Sequence, residues 1–267
     1  MIYNHVFGFT QQPFARGPES NDLFRAPLLD ELHSRLLYLV EHRAMGLLTG
    51  EPGSGKSTAL RRLRDELHPE QVRSVYVHDT AVNPGDFCRQ VALELGLEPS
   101  FSRALTLRSI QQEIRRLAEE RHLTVLLVLD EAQALRPDVL ALLPMLTNFD
   151  WDSGAPLAVL LAGQSGLRQT LRRAHLEALA QRLTVRYALR GFDRPTTQLY
   201  LEHRLKVAGV DRPLFVEPAV EALWQASQGV MRRIDTLAHH TLAVAAAQRA
   251  TQILPDHVLQ AAEETRP

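Results

Sequence analysis

Two stretches of this chain carry side chains whose types and spacing suit one chemistry. Gly50-Glu51-Pro52-Gly53-Ser54-Gly55-Lys56-Ser57 fits G-x-x-x-x-G-K-[ST] at every fixed position and follows the apolar run Met45-Gly46-Leu47-Leu48-Thr49. The pattern is that of a phosphate-binding loop. Its glycines let successive backbone N–H groups converge on phosphate oxygens, Lys56 places a point charge between β- and γ-phosphates, and Ser57 offers a hydroxyl to Mg²⁺. Thr58 follows in the helix expected over Ser57–Leu67, whose N-terminal dipole would face the same anion.

The second stretch, Thr124-Val125-Leu126-Leu127-Val128-Leu129-Asp130-Glu131, reads as a Walker B strand. An unbroken apolar run suits a strand buried on both faces of a parallel sheet, so its terminal carboxylates emerge at the ligand-bearing edge. Asp130 is expected to hold Mg²⁺ directly or through water, and Glu131 to polarise the attacking water. Together the two motifs imply ATP hydrolysis assisted by Mg²⁺.

Positioning such groups requires alternating strands and helices. Strands are expected near Gly46–Thr49, Ser74–His78, Val125–Asp130, Leu157–Ala162 and Thr184–Ala188. Helices fit Pro27–Glu41, Ser57–Leu67, Pro84–Leu95, Thr106–Arg121, Pro137–Asn148, Gly166–Leu171 and Leu176–Gln181. After Gly191-Phe192-Asp193-Arg194-Pro195 the strand signal stops, and helical patterns near Thr196–Ala208, Glu217–Ser227, Met231–Arg249 and Pro255–Glu264 form an all-α tail. The expected fold class is therefore α/β: a parallel-sheet nucleotide domain over 1–190, including an N-terminal element at 1–26, followed by a small helical lid over 191–267.

The composition bounds the rest. The 267 residues are 45% hydrophobic and hold 30 basic against 31 acidic side chains, as in a soluble chain of one large or two modest domains. This balance does not advertise nucleic acid, yet arginine greatly outnumbers lysine and a neutral total can conceal an arginine-lined face. The single Cys88 cannot form an intrachain disulfide, and it reads as a buried small hydrophobe in a reducing, cytoplasmic setting. Neither a transmembrane run nor a signal peptide is apparent, so no membrane partner is expected.

On these motifs the chain resembles AAA+ ATPases of the ExeA-like kind, a group that includes TnsC-like transposition ATPases. Phe7-Gly8-Phe9 and Pro13-Phe14 are similar to the family's N-terminal element beside the adenine, which makes Phe9 and Phe14 candidates for packing on the base, with ordinary core aromatics as the alternative. Leu160-Leu161-Ala162-Gly163-Gln164 resembles the segment whose polar residue is sensor 1, so the resemblance assigns Gln164 to the attacking water or the γ-phosphate. Leu179-Ala180-Gln181-Arg182-Leu183 resembles the box that sends an arginine into a neighbouring subunit. Arg182 is the expected finger and Arg186 the reserve, because a planar, always-charged fork suits charge spread over phosphate oxygens. Gly229-Val230-Met231-Arg232-Arg233-Ile234-Asp235 resembles the sensor 2 motif G-x-P-R-x-I-N, with Met231 in place of proline and Asp235 in place of asparagine. It leaves Arg232 in register for the γ-phosphate, with Arg233 as its neighbour and rival.

An arginine supplied in trans implies a homo-oligomer with head-to-tail contacts, either a ring or a helical filament. The resemblance then implies two classes of partner. In one, the ATPase assembles on double-stranded DNA and recruits a transposase, with a target-selection protein as a further partner. Arg89, Arg103, Arg108, Arg115 and Arg116 fall where related regulators line a central channel; Arg103, in the Pro99-Ser100-Phe101-Ser102-Arg103 connection, is the DNA candidate, whereas acids at Glu113, Glu119 and Glu120 favour a solvated helix face for Arg115 and Arg116. In the other class, the protein is a secretion or pilus-assembly ATPase. Such proteins generally carry a membrane helix and a peptidoglycan-binding domain after the ATPase core, and the lack of both before Pro267 favours the first class at this stage.

Other residues suggest no second chemistry. The neighbours His239 and His240 do not face one metal from a helix, and Ser54, Ser57 and Ser165 lack the context of a hydrolase triad. No metal beyond nucleotide-bound Mg²⁺ is expected.

Overall fold

A computed structural model describes residues 2–15, 17, 22–149 and 156–265. In chain order its elements are α1 (Ile2–Phe7), α2 (Pro27–Glu41), β1 (Met45–Gly50), α3 (Lys56–Glu66), β2 (Val72–Val77), α4 (Pro84–Glu94), α5 (Arg103–Glu120), β3 (Thr124–Leu129), α6 (Pro137–Leu140), α7 (Leu143–Leu146), β4 (Leu157–Gly163), α8 (Gly166–Thr170), α9 (Glu177–Arg182), β5 (Leu183–Leu189), α10 (Arg194–Val207), α11 (Glu217–Ser227), α12 (Met231–Ala247) and α13 (Pro255–Glu264). They form two compact units: a sheet unit of residues 28–50 and 56–189, and a helical unit of residues 1–27, 51–55 and 190–267.

Among the described residues the sheet unit holds five parallel strands in the order β2-β3-β4-β1-β5. Its apolar strands alternate between two cores. Val125, Leu127 and Leu129 of β3, with Leu157, Val159 and Leu161 of β4, pack with Phe87, Ile110, Ile114 and Leu143. Leu126 and Val128, with Ala158, Leu160 and Ala162, face the opposite way onto Leu32, Leu36, Leu39, Leu60 and Leu63 of α2 and α3. Covering both faces explains why the central strands read as continuous apolar runs rather than alternating ones. The pairing Leu129↔Leu161 and Thr49↔Gly163 brings the C-terminal ends of β3, β4 and β1 to one edge.

All five expected strands are present; β1, β4 and β5 gain a residue at one or both ends, whereas β2 and β3 start earlier than expected and stop one residue short, before His78 and Asp130. The expected helix over 137–148 is instead two short turns, α6 and α7, since Pro144 has no N–H to donate and restricts the residue before it. Helix α5 starts three residues earlier than its apolar periodicity indicates. Ser102 is its N-cap and accepts from the Leu105 N–H, so Arg103 is the first helical residue and not part of the preceding connection.

The helical unit combines α1 and α10–α13 with the N-terminal segment. Helix α1 has no counterpart in the sequence reading, being only six residues long. Arg204, almost fully buried, ties the segment down: Nε donates to Pro13 O at 2.7 Å and Nη2 to Ala15 O at 2.8 Å. Trp224 Nε1 donates to Phe192 O at 2.9 Å, and Gly229 approaches Phe192 so closely that a Cβ would lie 2.0 Å from its carbonyl oxygen.

Candidate active site

Residues Glu51–Gly55 group with the helical unit, while Gly50 and Lys56 on either side of them in the chain belong to the sheet unit. Gly53 and Gly55 take φ of +84° and +103°, backbone conformations open mainly to glycine. Ser54 N–H donates to Glu51 O at 3.0 Å and closes the turn. Ser54 is 3% exposed and its hydroxyl has no hydrogen-bond partner among the described residues, an orphaned polar atom inside the loop that a phosphate oxygen would satisfy. Lys56, 6% exposed, donates from Nζ to Gly50 O at 2.9 Å. A buried ammonium at the first residue of α3 suits an anion bound at that helix start. Ser57 and Thr58 lie in the same first turn, Ser57 exposed and Thr58 half-buried.

At the end of β3, Asp130 is 4% exposed and both of its oxygens are engaged. Oδ1 accepts the Glu131 N–H at 2.9 Å and Oδ2 accepts the Tyr76 hydroxyl at 2.8 Å. Burial first, and then the Asp130 carboxylate beside it, holds the Tyr76 phenol well above its ordinary value, so the phenol remains a donor. These bonds fix the plane of a carboxylate suited to a hydrated divalent cation.

Glu131 is exposed and adopts φ +50°, ψ 35°, the left-handed region that costs a non-glycine residue about 1–2 kcal/mol. The Thr80 hydroxyl holds its carbonyl oxygen at 3.1 Å. Two residues on, in the 3₁₀ turn Ala132–Ala134, Gln133 Nε2 donates to Glu131 Oε2 at 2.6 Å. The other end of the same amide, Oε1, accepts the Gln164 N–H at 2.9 Å, where β4 ends. Asp130, Glu131, Gln133 and Gln164 thus meet at one edge of the sheet unit. Motifs in the sequence mark Asp130, Glu131 and Gln164 but not Gln133, whose signal is an amide one turn after a paired carboxylate.

Arg232 N–H donates to Gly53 O at 3.1 Å, and a Cβ on Gly53 would stand 2.5 Å from Arg232 Cβ. The start of α12 is therefore seated on the loop segment inside the helical unit, with the Arg232 and Arg233 side chains exposed. Three residues after Arg232, Asp235 accepts the Tyr200 hydroxyl at 2.7 Å, and burial pushes its carboxyl up to about 6 against the opposing pull of Arg204.

The remaining candidates lie elsewhere. Phe9 and Phe14 are buried in the helical unit, Phe9 against the rings of Tyr3 and Phe7, Phe14 beneath the Arg204 guanidinium. Arg182, at the end of α9, donates from Nη1 to Thr147 Oγ1 at 3.3 Å. Arg186 donates to Leu183 O and Ala180 O, capping α9. Arg103 is exposed at the start of α5, next to the exposed Phe101 and Leu105. Arg89 pairs with Asp86, Arg115 with Glu119, and Arg116 with Glu113 and Glu120. His239 Nδ1 shares a 2.7 Å hydrogen bond with the Tyr3 hydroxyl.

The sequence profile of the AAA domain family matches residues 39–171, which span β1, α3, the Asp130–Glu131 edge and β4. The chain carries an AAA+ ATPase domain. It is 32% identical over 269 residues to general secretion pathway protein A of Aeromonas hydrophila, the match covering 98% of this chain and 48% of that protein, so the chain spans about half the length of this relative. In fold it is similar to Cdc6p of Pyrobaculum aerophilum (TM-score 0.71, 19% identity, 94% of this chain and 70% of that one). It is also similar to the ORC1 protein of Aeropyrum pernix solved in complex with DNA (0.66, 19%, 96% and 69%) and to the RuvB branch-migration motor of Thermotoga maritima (0.60, 16%, 94% and 73%). These likenesses support the P-loop AAA+ fold with its helical C-terminal region. Among the described residues no helix is long and apolar enough to cross a membrane.

Proposed function

We propose that this AAA+ ATPase domain hydrolyses ATP as part of a head-to-tail homo-oligomer and uses the nucleotide state to control a macromolecular partner. The observation that carries the proposal is the pair of carboxylates at the end of β3, a buried, doubly hydrogen-bonded Asp130 beside an exposed Glu131, at the same sheet edge as Gly50 and Lys56. The loop backbone, Ser54 and Lys56 bind the phosphates, joined by Gly50, Glu51, Pro52, Gly53, Gly55, Ser57 and Thr58 of the same stretch. Ser57 and Asp130 would hold Mg²⁺, which neutralises charge on the β- and γ-phosphates. Glu131 takes a proton from water as its oxygen bonds to the γ-phosphorus. The bond from that phosphorus to the bridging oxygen breaks, and ADP leaves with the electron pair. Gln164 orients the water or the γ-phosphate.

Arg182 is the finger supplied to the neighbouring subunit, a role supported by the resemblance of Leu179–Leu183 to the arginine-bearing box, with Arg186 as the reserve. Arg232 follows the γ-phosphate from the start of α12, supported by its seat on Gly53. Phe9 and Phe14 shape the adenine side of the site by packing the N-terminal segment.

Two partner readings follow. Likeness to DNA-bound ORC1, together with the exposed Arg103 at the start of α5, supports assembly on double-stranded DNA, with a transposase and a target-selection protein as the regulated machinery. The 32% identity across nearly the whole chain to general secretion pathway protein A supports the second reading, in which the oligomer drives secretion. In either reading the ATPase faces the cytoplasm, where ATP is supplied. Electron microscopy with a non-hydrolysable ATP analogue, with and without duplex DNA, and a salt titration of DNA binding separate the two. Nucleotide-dependent assemblies threaded on DNA, with affinity falling steeply as salt rises, support the first reading. Assemblies indifferent to DNA overturn it and favour the second.

A further inference from the structure

Glu131 has to present one carboxylate oxygen to water while its backbone sits in a strained conformation on an exposed turn. A lone exposed carboxylate samples several rotamers, and each unproductive one subtracts from the rate. Gln133 removes that freedom: its amide N–H binds Oε2 at 2.6 Å, leaving Oε1 for the proton. An amide suits this position because one end donates while the other accepts, so a single side chain can hold a carboxylate and a backbone N–H at once.

The other half of the amide is equally committed. Gln133 Oε1 accepts the Gln164 N–H at 2.9 Å, and a Cβ at position 163 would lie 2.8 Å from Oε1 and 3.2 Å from the Gln133 nitrogen. Gly163 therefore leaves the room that Gln133 needs, and it does so with no requirement for positive φ of its own. With both ends bound, the amide cannot turn over without losing two hydrogen bonds.

From this geometry we infer that Gln133 is a positioning residue that sets the carboxylate of Glu131 for proton abstraction and ties it to the residue ending β4. Any shift of the Gln164 backbone then moves the base, so events at the end of β4 are transmitted to the proton acceptor through one side chain. The inference rests on Glu131 acting as the base.

The test compares Gln133→Ala, Gln133→Glu and Gly163→Ala with the native chain. The readouts are steady-state hydrolysis, affinity for a fluorescent ATP analogue, and thermal melting. Gln133→Ala is expected to lower kcat about 10- to 30-fold, with analogue affinity kept within about twofold, the size expected for losing one orienting hydrogen bond to a charged group. Gln133→Glu keeps the acceptor for Gln164 but places a second carboxylate against Glu131. Its kcat is expected to fall at least as far, with analogue affinity again kept within about twofold. Gly163→Ala, which wedges the amide aside while leaving Gln133 in place, is expected to lower kcat as Gln133→Ala does.

Unchanged kcat in Gln133→Ala or in Gln133→Glu overturns the inference. Equal losses of kcat and of analogue binding also overturn it, since they mark a purely structural role. Should Gln133→Ala fail to fold, Gln133→Glu decides by its loss of kcat set against its analogue affinity. Glu131→Gln run in parallel distinguishes the two failures: native turnover in that variant removes the base itself, whereas lost turnover there with native turnover in Gln133→Ala refutes only the positioning role.

Discussion

Replacing Asp235 by asparagine is expected to relieve the helical unit of a penalty that grows with pH. Asp235 accepts a 2.7 Å hydrogen bond from Tyr200 and is raised to about 6, burial outweighing the nearby Arg204 guanidinium. The unfolded chain ionises near the ordinary aspartate value of about 3.9. Below about pH 4 the carboxyl is protonated in both states and costs nothing. Between about pH 4 and 6 the unfolded state ionises first, so stability falls as pH rises, and above about pH 6 the full difference of two units is lost. At 1.36 kcal/mol per unit that is about 3 kcal/mol. Asparagine keeps an oxygen for Tyr200 and never ionises.

The advantage of Asp235→Asn over the native chain is therefore expected to widen by about 3 kcal/mol from pH 4 to pH 7 and to stay level above that. Urea unfolding followed by the fluorescence of Trp224, in a Trp151→Phe background, reads it in the helical unit, where the Trp224 indole is bonded to Phe192 O. A difference between the two proteins that does not vary with pH refutes the reasoning, because only an ionisation confined to Asp235 supplies the slope.

Lys56→Ala removes a buried cation from the phosphate loop and is expected to weaken ATP binding about 10- to 100-fold, measured by analogue titration. Gly53→Ala forces a side chain into φ +84° and within 2.5 Å of Arg232 Cβ; a stability loss of at least about 1–2 kcal/mol, read by thermal melting, is expected together with weaker nucleotide binding. Arg182→Ala is expected to keep nucleotide affinity and lose about 10³-fold in turnover. Mixing it with Glu131→Gln should restore hydrolysis, because each variant supplies the half-site that the other lacks; no recovery in the mixture counts against a finger in trans.

The legible parts of this fold are those where one local rule dominates. The phosphate loop and the β3 carboxylates could be read directly because glycine at positive φ, lysine at a helix start and a doubly buried strand each leave a mark in residue type. Where two rules compete, the sequence was less informative. Pro144 interrupts a segment with good helical periodicity, and Ser102 begins α5 ahead of its apolar stripe, moving Arg103 from connection to helix. Helix α1 rests on Tyr3, whose hydroxyl and ring meet His239 of α12, information that no local window contains. Asp235 was visible as a departure from the sensor 2 pattern, but its raised carboxyl comes from burial, opposed by Arg204 and Tyr200 of α10, and none of these is local to it in sequence. Gln133 was missed for the same reason: its role comes from reaching both Glu131 and the end of β4.

The central claim is that Glu131 removes the proton from the attacking water while other residues bind the nucleotide. Single-turnover hydrolysis by Glu131→Gln, measured on protein preloaded with labelled ATP and assembled at the same concentration as the native chain, tests it most directly. The account predicts native-like ATP retention with hydrolysis slowed by about 10²-fold or more. Native-rate release of phosphate from that variant would contradict it.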